Sequence, residues 1–208
     1  MNPDRKLVIS IFVIWLFTIS GILGILSTYR DWFLSFTWLN LSVYLWLILW
    51  NNNRHRSVML ALLIPFGIGM ITEYLGVNYG LIFGEYKYGA NLGYKLFGVP
   101  LMIGVNWAIL TYCTAAMARA INNNIVISSI LGAVGMVFLD VIMEVSAPRF
   151  DFWEFENGVV PLKNYFGWFC TALVGHLLLQ KSIKVFRFRI SLHIFIAILV
   201  FFSVFLIF

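Results

Sequence analysis

Long apolar runs recur along the chain, separated by short polar stretches. Leu7–Leu26, Trp32–Trp50, Gly98–Ala118 and Ile190–Phe208 contain no Asp, Glu, Lys or Arg. Asn164–Gln180 is also uncharged, though shorter. Ser57–Leu75 is interrupted only by Glu73, and Ile125–Val145 only by Asp140 and Glu144 near its end. A helix needs roughly 20 apolar residues to cross a hydrocarbon core about 30 Å thick. The pattern therefore predicts about seven transmembrane helices in one bundle: an all-α, polytopic membrane protein whose residues 1–208 form a single integral membrane domain. No segment is left over for a separate soluble domain.

Composition agrees. Hydrophobic residues make up 62% of the 208, and charged residues only 11%, against about 25% in a soluble domain. The first run follows Arg5 and Lys6 as a signal peptide would. It is too long for a typical signal core and lacks an evident small-residue cleavage site, so a retained helix is expected. Cys113 and Cys170 both fall inside predicted spans and offer neither a disulfide framework nor a metal signature.

Basic residues in short loops favour the cytoplasmic side. The N-terminal tail and even-numbered loops carry Arg5, Lys6, Arg54, Arg56, Arg119, Lys181, Lys184, Arg187 and Arg189, nine against five on the other side. This orients the chain as a multi-pass protein of the cell inner membrane with a cytoplasmic N-terminus. The net charge of +5 then reports basic loops and calls for no nucleic-acid partner.

In that orientation two outer connections are long, Gly76–Phe97 and Ser146–Lys163. Long loops in a compact protein tend to be functional or disordered. The first is dense in Gly and Tyr, which predicts an ordered cap or re-entrant segment. Its Gly76, Gly80 and Gly84 suit turns better than helix packing. The second is acidic and aromatic, and reads either as an interfacial aromatic belt or as a substrate contact.

The carboxyls that interrupt the spans carry the chemistry. An ionisable group within the bilayer is costly and is a functional candidate by default. Glu73, Asp140 and Glu144 all fall at outer span ends. Asp140 and Glu144 are four apart and share a helix face, with Asp140 about one turn deeper. Desolvation disfavours a charged carboxyl, so Asp140 is expected to hold a proton and Glu144 to remain ionised. Asn106 and Trp107, then Asn164 and Trp168, reach the same level. These groups could simply tie helices together by hydrogen bonds. Three acids without an intramembrane Lys or Arg suit proton handling better. His176 and His193 read as packing or interface residues, and no zinc-binding spacing is present. The DVIME segment lacks the second acidic set that an intramembrane prenyltransferase needs.

Three stretches carry a family resemblance: Glu73–Trp107 (EYLGVNYGLIFGEYKYGANLGYKLFGVPLMIGVNW), Leu139–Pro148 (LDVIMEVSAP) and Val160–Trp168 (VPLKNYFGW). With them the chain resembles the carotenoid biosynthesis membrane-protein family, which includes carotenoid 1,2-hydratases of the gamma-carotene, lycopene and bisanhydrobacterioruberin types. The resemblance implies a hydro-lyase that adds water to the terminal C1=C2 double bond of an acyclic, lipid-soluble carotenoid end, with no cofactor. Related enzymes also elongate or cyclise carotenoid ends. A basic pI of about 9.3 departs from the acidic habit of haloarchaeal proteins and favours a lycopene or gamma-carotene type of substrate.

Hydration of an alkene needs a proton on one carbon and water on the other. Protonation of the less substituted carbon leaves a tertiary cation, which electron-rich rings stabilise. The expected roles are Asp140 as general acid, with Glu144 or Glu73 orienting and deprotonating water; spacing leaves the acid and base labels interchangeable. Asn106 and Asn164 would fix carboxyls or water, and Trp107, Trp168, Trp153 or Tyr88 would line the cation site. Two other classes remain open. A carotene cyclase would share the first protonation. A proton-coupled transporter would also use buried acids, but transporters often show internal repeats around a midplane site, which this chain lacks.

Overall fold

The computed structural model describes residues 3–208, apart from the side chain of Asn157. Its helices are α1 (Pro3–Ile25), α2 (Arg30–Ser35), α3 (Thr37–Asn51), α4 (His55–Tyr79), α5 (Leu101–Ile121), α6 (Ile125–Ser146), α7 (Leu162–Ser182) and α8 (Phe188–Val204). The chain is an all-α membrane protein. By length and composition α1, α4, α5 and α6 are able to cross a bilayer, whereas the apolar parts of α3 and α8 are shorter. Helix α7 is 21 residues long but is interrupted by Asn164, His176 and Gln180.

α5 is the centre of the bundle. It touches α3, α4, α6, α7 and α8, and 78% of its most apolar window is buried, against 28–39% for the other three long helices. Its inward positions include small residues, Gly104, Ala108, Ala115 and Ala116, which let neighbours approach closely where lipid offers no hydrophobic drive between helices. Asn124 starts α6 by accepting hydrogen bonds from the Val126 and Ile127 amides at 2.9 and 3.2 Å, a standard N-cap. His176 joins α7 to α5 through Thr114 Oγ1 at 2.8 Å, and Trp15 donates to His193 at 3.2 Å, so both histidines hold helices together.

The run Trp32–Trp50 is not one helix. It breaks at Phe36 into α2 and α3. The hydroxyls of Ser35 and Thr37 donate to the Trp32 and Leu34 carbonyls at 2.7 and 2.8 Å. Such local bonds offer the backbone an alternative to regular helix. Hydropathy alone does not register them.

The two long connections, α4–α5 and α6–α7, both carry regular structure, and they pair with each other. β1 (Tyr86–Tyr88) runs antiparallel to β4 (Trp153–Phe155), with Tyr86 opposite Phe155, Lys87 opposite Glu154 and Tyr88 opposite Trp153. Alternation across a strand turns the four aromatic rings toward the bundle and leaves Lys87 and Glu154 outside, 3.8 Å apart. β2 (Lys95–Leu96) and β3 (Val99–Pro100) form a tight hairpin whose two loop residues, Phe97 and Gly98, both have positive φ. Asp151 Oδ2 accepts the Ala90 amide at 2.7 Å, and Asn91 donates to the Phe150 carbonyl at 2.9 Å. Of the three spaced glycines, Gly80 and Gly84 sit at positive φ and Gly76 remains inside α4.

The α6–α7 contact depends on Gly132, where a Cβ would overlap the His176 ring. Overpacking of this kind costs about 1–3 kcal/mol. Gly132→Leu is expected to lower the thermal unfolding midpoint in detergent clearly. Gly135→Ala, whose Cβ would meet Thr114 Cγ2 at an ordinary 3.5 Å, should change it little. Equal midpoints for the two variants would contradict the packing.

Candidate functional site

Glu73 lies one turn below Gly76 on α4 and is 2% exposed. Three donors converge on it. Tyr86 Oη donates to Oε2 in a short bond, Tyr88 Oη donates to the same oxygen at 2.6 Å, and Trp107 Nε1 donates to Oε1 at 2.9 Å. Two glycines make this convergence possible. A Cβ at Gly69 would collide with the Trp107 indole, and one at Gly76 with the Tyr86 ring and hydroxyl. One turn of α4 on either side of Glu73 is thus cleared for its partners.

Across the bundle, Asn164 of α7 bridges the two acids of α6. Its Nδ2 donates to Asp140 Oδ2 at 2.9 Å and to Glu144 Oε1 at 3.2 Å. Trp153 Nε1 donates to Glu144 Oε2 at 2.9 Å. Asp140 Oδ1 is buried and receives no hydrogen bond. An oxygen with no donor aimed at it is able to carry a proton itself. Among the described residues, the three acids take part in no ion pair.

Glu73 and Glu144 face one small chamber of about 20 Å³, lined also by Tyr88, Asn106, Trp107, Asn164 and Trp168. A cavity of about 10–15 Å³ or more on this measure holds a water molecule, so the chamber has room for one. Its walls are aromatic: Trp107 and Trp168 stack at 4.3 Å between ring centroids, and Tyr88 meets Trp153 edge-on at 6.4 Å. Asp140 is not part of the lining and sits behind Asn164 and Glu144.

Beside the chamber lies a larger cavity of about 290 Å³, bounded by α1, α2, α3, α5, α6 and α8. The two cavities share Ile103, Asn106 and Trp153. No charged residue lines the larger one.

Eight of the nine residues singled out from sequence therefore meet at the chamber, and the ninth, Asp140, adjoins it. Sequence reasoning missed Tyr86, Phe83 and Phe155. The alternation Tyr86-Lys87-Tyr88 placed Tyr86 on the same strand face as Tyr88 and was the signal available. Phe155 became visible only through its pairing with Tyr86. Phe83 enters the chamber after Ile82, a β-branched residue at φ 66°, a conformation that sequence does not advertise.

A family model described as "Carotenoid biosynthesis protein" matches residues 31–208. The chain is 30% identical over 136 residues to the bisanhydrobacterioruberin hydratase of Haloarcula japonica. That match covers 61% of this chain and 45% of the relative, so this chain spans less than half the length of the curated protein it matches. No solved structure matches significantly.

Burial, and then the charge of Glu73, raises the phenols of Tyr86 and Tyr88 above the ordinary tyrosine range. Unfolded chain releases these protons above about pH 10, while the folded chain keeps them. The folded state then binds more protons, and stability falls as pH rises past that point. Thermal unfolding followed up to about pH 11 should show this fall. It should be shallower in the Tyr86→Phe/Tyr88→Phe double variant, and an unchanged slope would contradict the raised phenols.

Proposed function

This chain belongs to the carotenoid biosynthesis protein family, and on that premise we propose that it is a hydratase adding water to the terminal C1=C2 bond of an acyclic carotenoid end, of the lycopene or gamma-carotene type. The observation that carries the reading is the chamber: two carboxyl groups, from Glu73 and Glu144, facing a water-sized space walled by stacked indoles.

In this mechanism the Asp140–Glu144 pair, linked through Asn164, holds one proton. Glu144 lines the chamber, so it delivers that proton to the less substituted alkene carbon, and Asp140 behind it, held by the same Asn164 amide, keeps a second acid close enough to favour the protonated form of Glu144. Spacing along α6 favoured Asp140 as the direct acid; its position behind Asn164 favours passing the contact to Glu144. The alkene π pair forms the new C–H bond and leaves a tertiary cation at the neighbouring carbon. The stacked Trp107–Trp168 pair walls the space for that cation, and one indole face turned to it contributes about 2 kcal/mol when desolvated. Glu73 already accepts three hydrogen bonds and serves as the anion. Its Oε1, engaged only by Trp107, retains a lone pair for the water. The water oxygen bonds to the cation and its proton passes to Glu73. That proton returns to the α6 pair over the next water, and the net reaction is the addition of one water. No redox step is involved, and the chemistry calls for no cofactor.

The chain is proposed to cross the inner membrane seven times as one domain, α2 and α3 together forming one crossing. The N-terminus is cytoplasmic and the chamber lies at the outer side, where a lipid-soluble end meets water. Cyclisation would begin with the same protonation. The space for one water beside the acids favours hydration.

The test is expression in a bacterium that accumulates lycopene or gamma-carotene, with pigments read by chromatography and mass spectrometry. A more polar pigment heavier by one water is expected. Glu144→Gln and Asp140→Asn should each lower its yield roughly 10²–10⁴-fold, the range of general acid catalysis, at unchanged membrane content. Full conversion by both variants would remove the acid pair from the mechanism, and a new pigment of unchanged mass would identify a cyclase.

A further inference from the structure

The larger cavity has features that the chamber does not explain. Nine of its 21 lining residues are aromatic and none is charged. At its rim Trp32 is 59% and Phe36 38% exposed, on the part of the chain where the second apolar run breaks into α2 and α3. Its inner end is the shared wall of Ile103, Asn106 and Trp153. At about 290 Å³ it falls at the lower limit for a small-molecule site, which typically encloses about 300–1,000 Å³. It therefore suits one end of a long molecule better than the whole.

We propose that this cavity is a binding slot for the terminal isoprenoid segment of a linear polyene, which reaches it from the lipid past Trp32 and Phe36 and presents its end double bond to the carboxyl chamber at Asn106 and Trp153. The inference rests on the hydratase reading and extends it to where the substrate lies. An uncharged lining rejects diphosphate and phospholipid headgroups, because a buried unpaired charge is heavily penalised. Aromatic faces suit a flat conjugated chain. A saturated acyl chain would bring only an unreactive methyl end to the acids. Asn106 borders both cavities, so its amide is placed to orient water or the entering end at the junction.

Gly21 of α1 offers a way to fill the slot. It lines the cavity, and a Cβ there would meet Phe201, another wall residue, at an ordinary 3.6 Å. Gly67 of α4 is the control, with nothing within 4 Å of its Cβ position and no place in the slot. The full-length Glu144→Gln protein is purified in mild detergent from cells accumulating lycopene, and bound pigment per protein is measured by absorbance. Gly21→Phe in this background should lower bound lycopene at least about tenfold, Gly21→Ala should lower it less, and Gly67→Phe should leave it unchanged. Should Gly21→Phe fail to fold, Ser20→Phe fills the same wall; the Ser20 hydroxyl bonds only to carbonyls of its own helix. Undiminished lycopene in folded Gly21→Phe would overturn the slot and leave the hydratase reading intact. Phospholipid retained in place of pigment, while the unsubstituted protein still hydrates lycopene, would assign the cavity to lipid and also overturn the slot. Neither binding nor hydration of lycopene or gamma-carotene by the unsubstituted protein would overturn both.

Discussion

The Glu73 carboxyl is buried near the C-terminal end of α4, where an uncompensated charge would be prohibitive. Tyr86, Tyr88 and Trp107 make it tolerable by donating three hydrogen bonds. Bonds to a charged acceptor contribute about 1.5–3 kcal/mol each. Two of the donors belong to the α4–α5 loop and the third to the central helix α5, so one carboxyl ties that loop to the bundle. The rest follows from that need. Gly69 and Gly76 clear space for the donors, the β1–β4 ladder holds the tyrosines in register, and Trp107 is left stacked on Trp168 as one wall of the chamber.

The second acid group is arranged differently. Asp140 and Glu144 share one amide, that of Asn164, and one Asp140 oxygen has no partner. Glu73 alone accepts three hydrogen bonds, whereas the two α6 acids share three between them, two from Asn164 and one from Trp153. In the proposed mechanism this difference suits Glu73 to the part of the anion and the α6 pair to that of the proton carrier. It also explains how two similar carboxyl groups could play opposite parts across a space the size of one water. The wall shared with the apolar slot sets the direction from which a substrate end would arrive.

Much of this was legible in the sequence because charge is rare in an apolar chain. Glu73, Asp140 and Glu144 stand out against their spans, and the i, i+4 spacing already put the last two on one face. Asn164 and Trp168 were found by their level in the membrane. What was hidden depends on contacts between distant segments. Pairing of Tyr86 with Phe155 joins two loops about 70 residues apart, and no local pattern announces it. The break at Phe36, flanked by the hydroxyls of Ser35 and Thr37, lies within an uncharged run that hydropathy reads as one span. Depth along α6 favoured Asp140 as the acid, but depth does not tell which side chain faces the cavity; the position of Asn164 decides that.

In the proposed reaction, solvent supplies both the proton and the oxygen added to the substrate end. Membranes containing the protein, given lycopene or gamma-carotene in water enriched in heavy oxygen and, separately, in heavy water, test it most directly. The expected product is a tertiary alcohol carrying one solvent oxygen at carbon 1 and one solvent-derived deuterium at carbon 2. A product with the deuterium but no solvent oxygen, or an alcohol whose oxygen does not come from water, would contradict it.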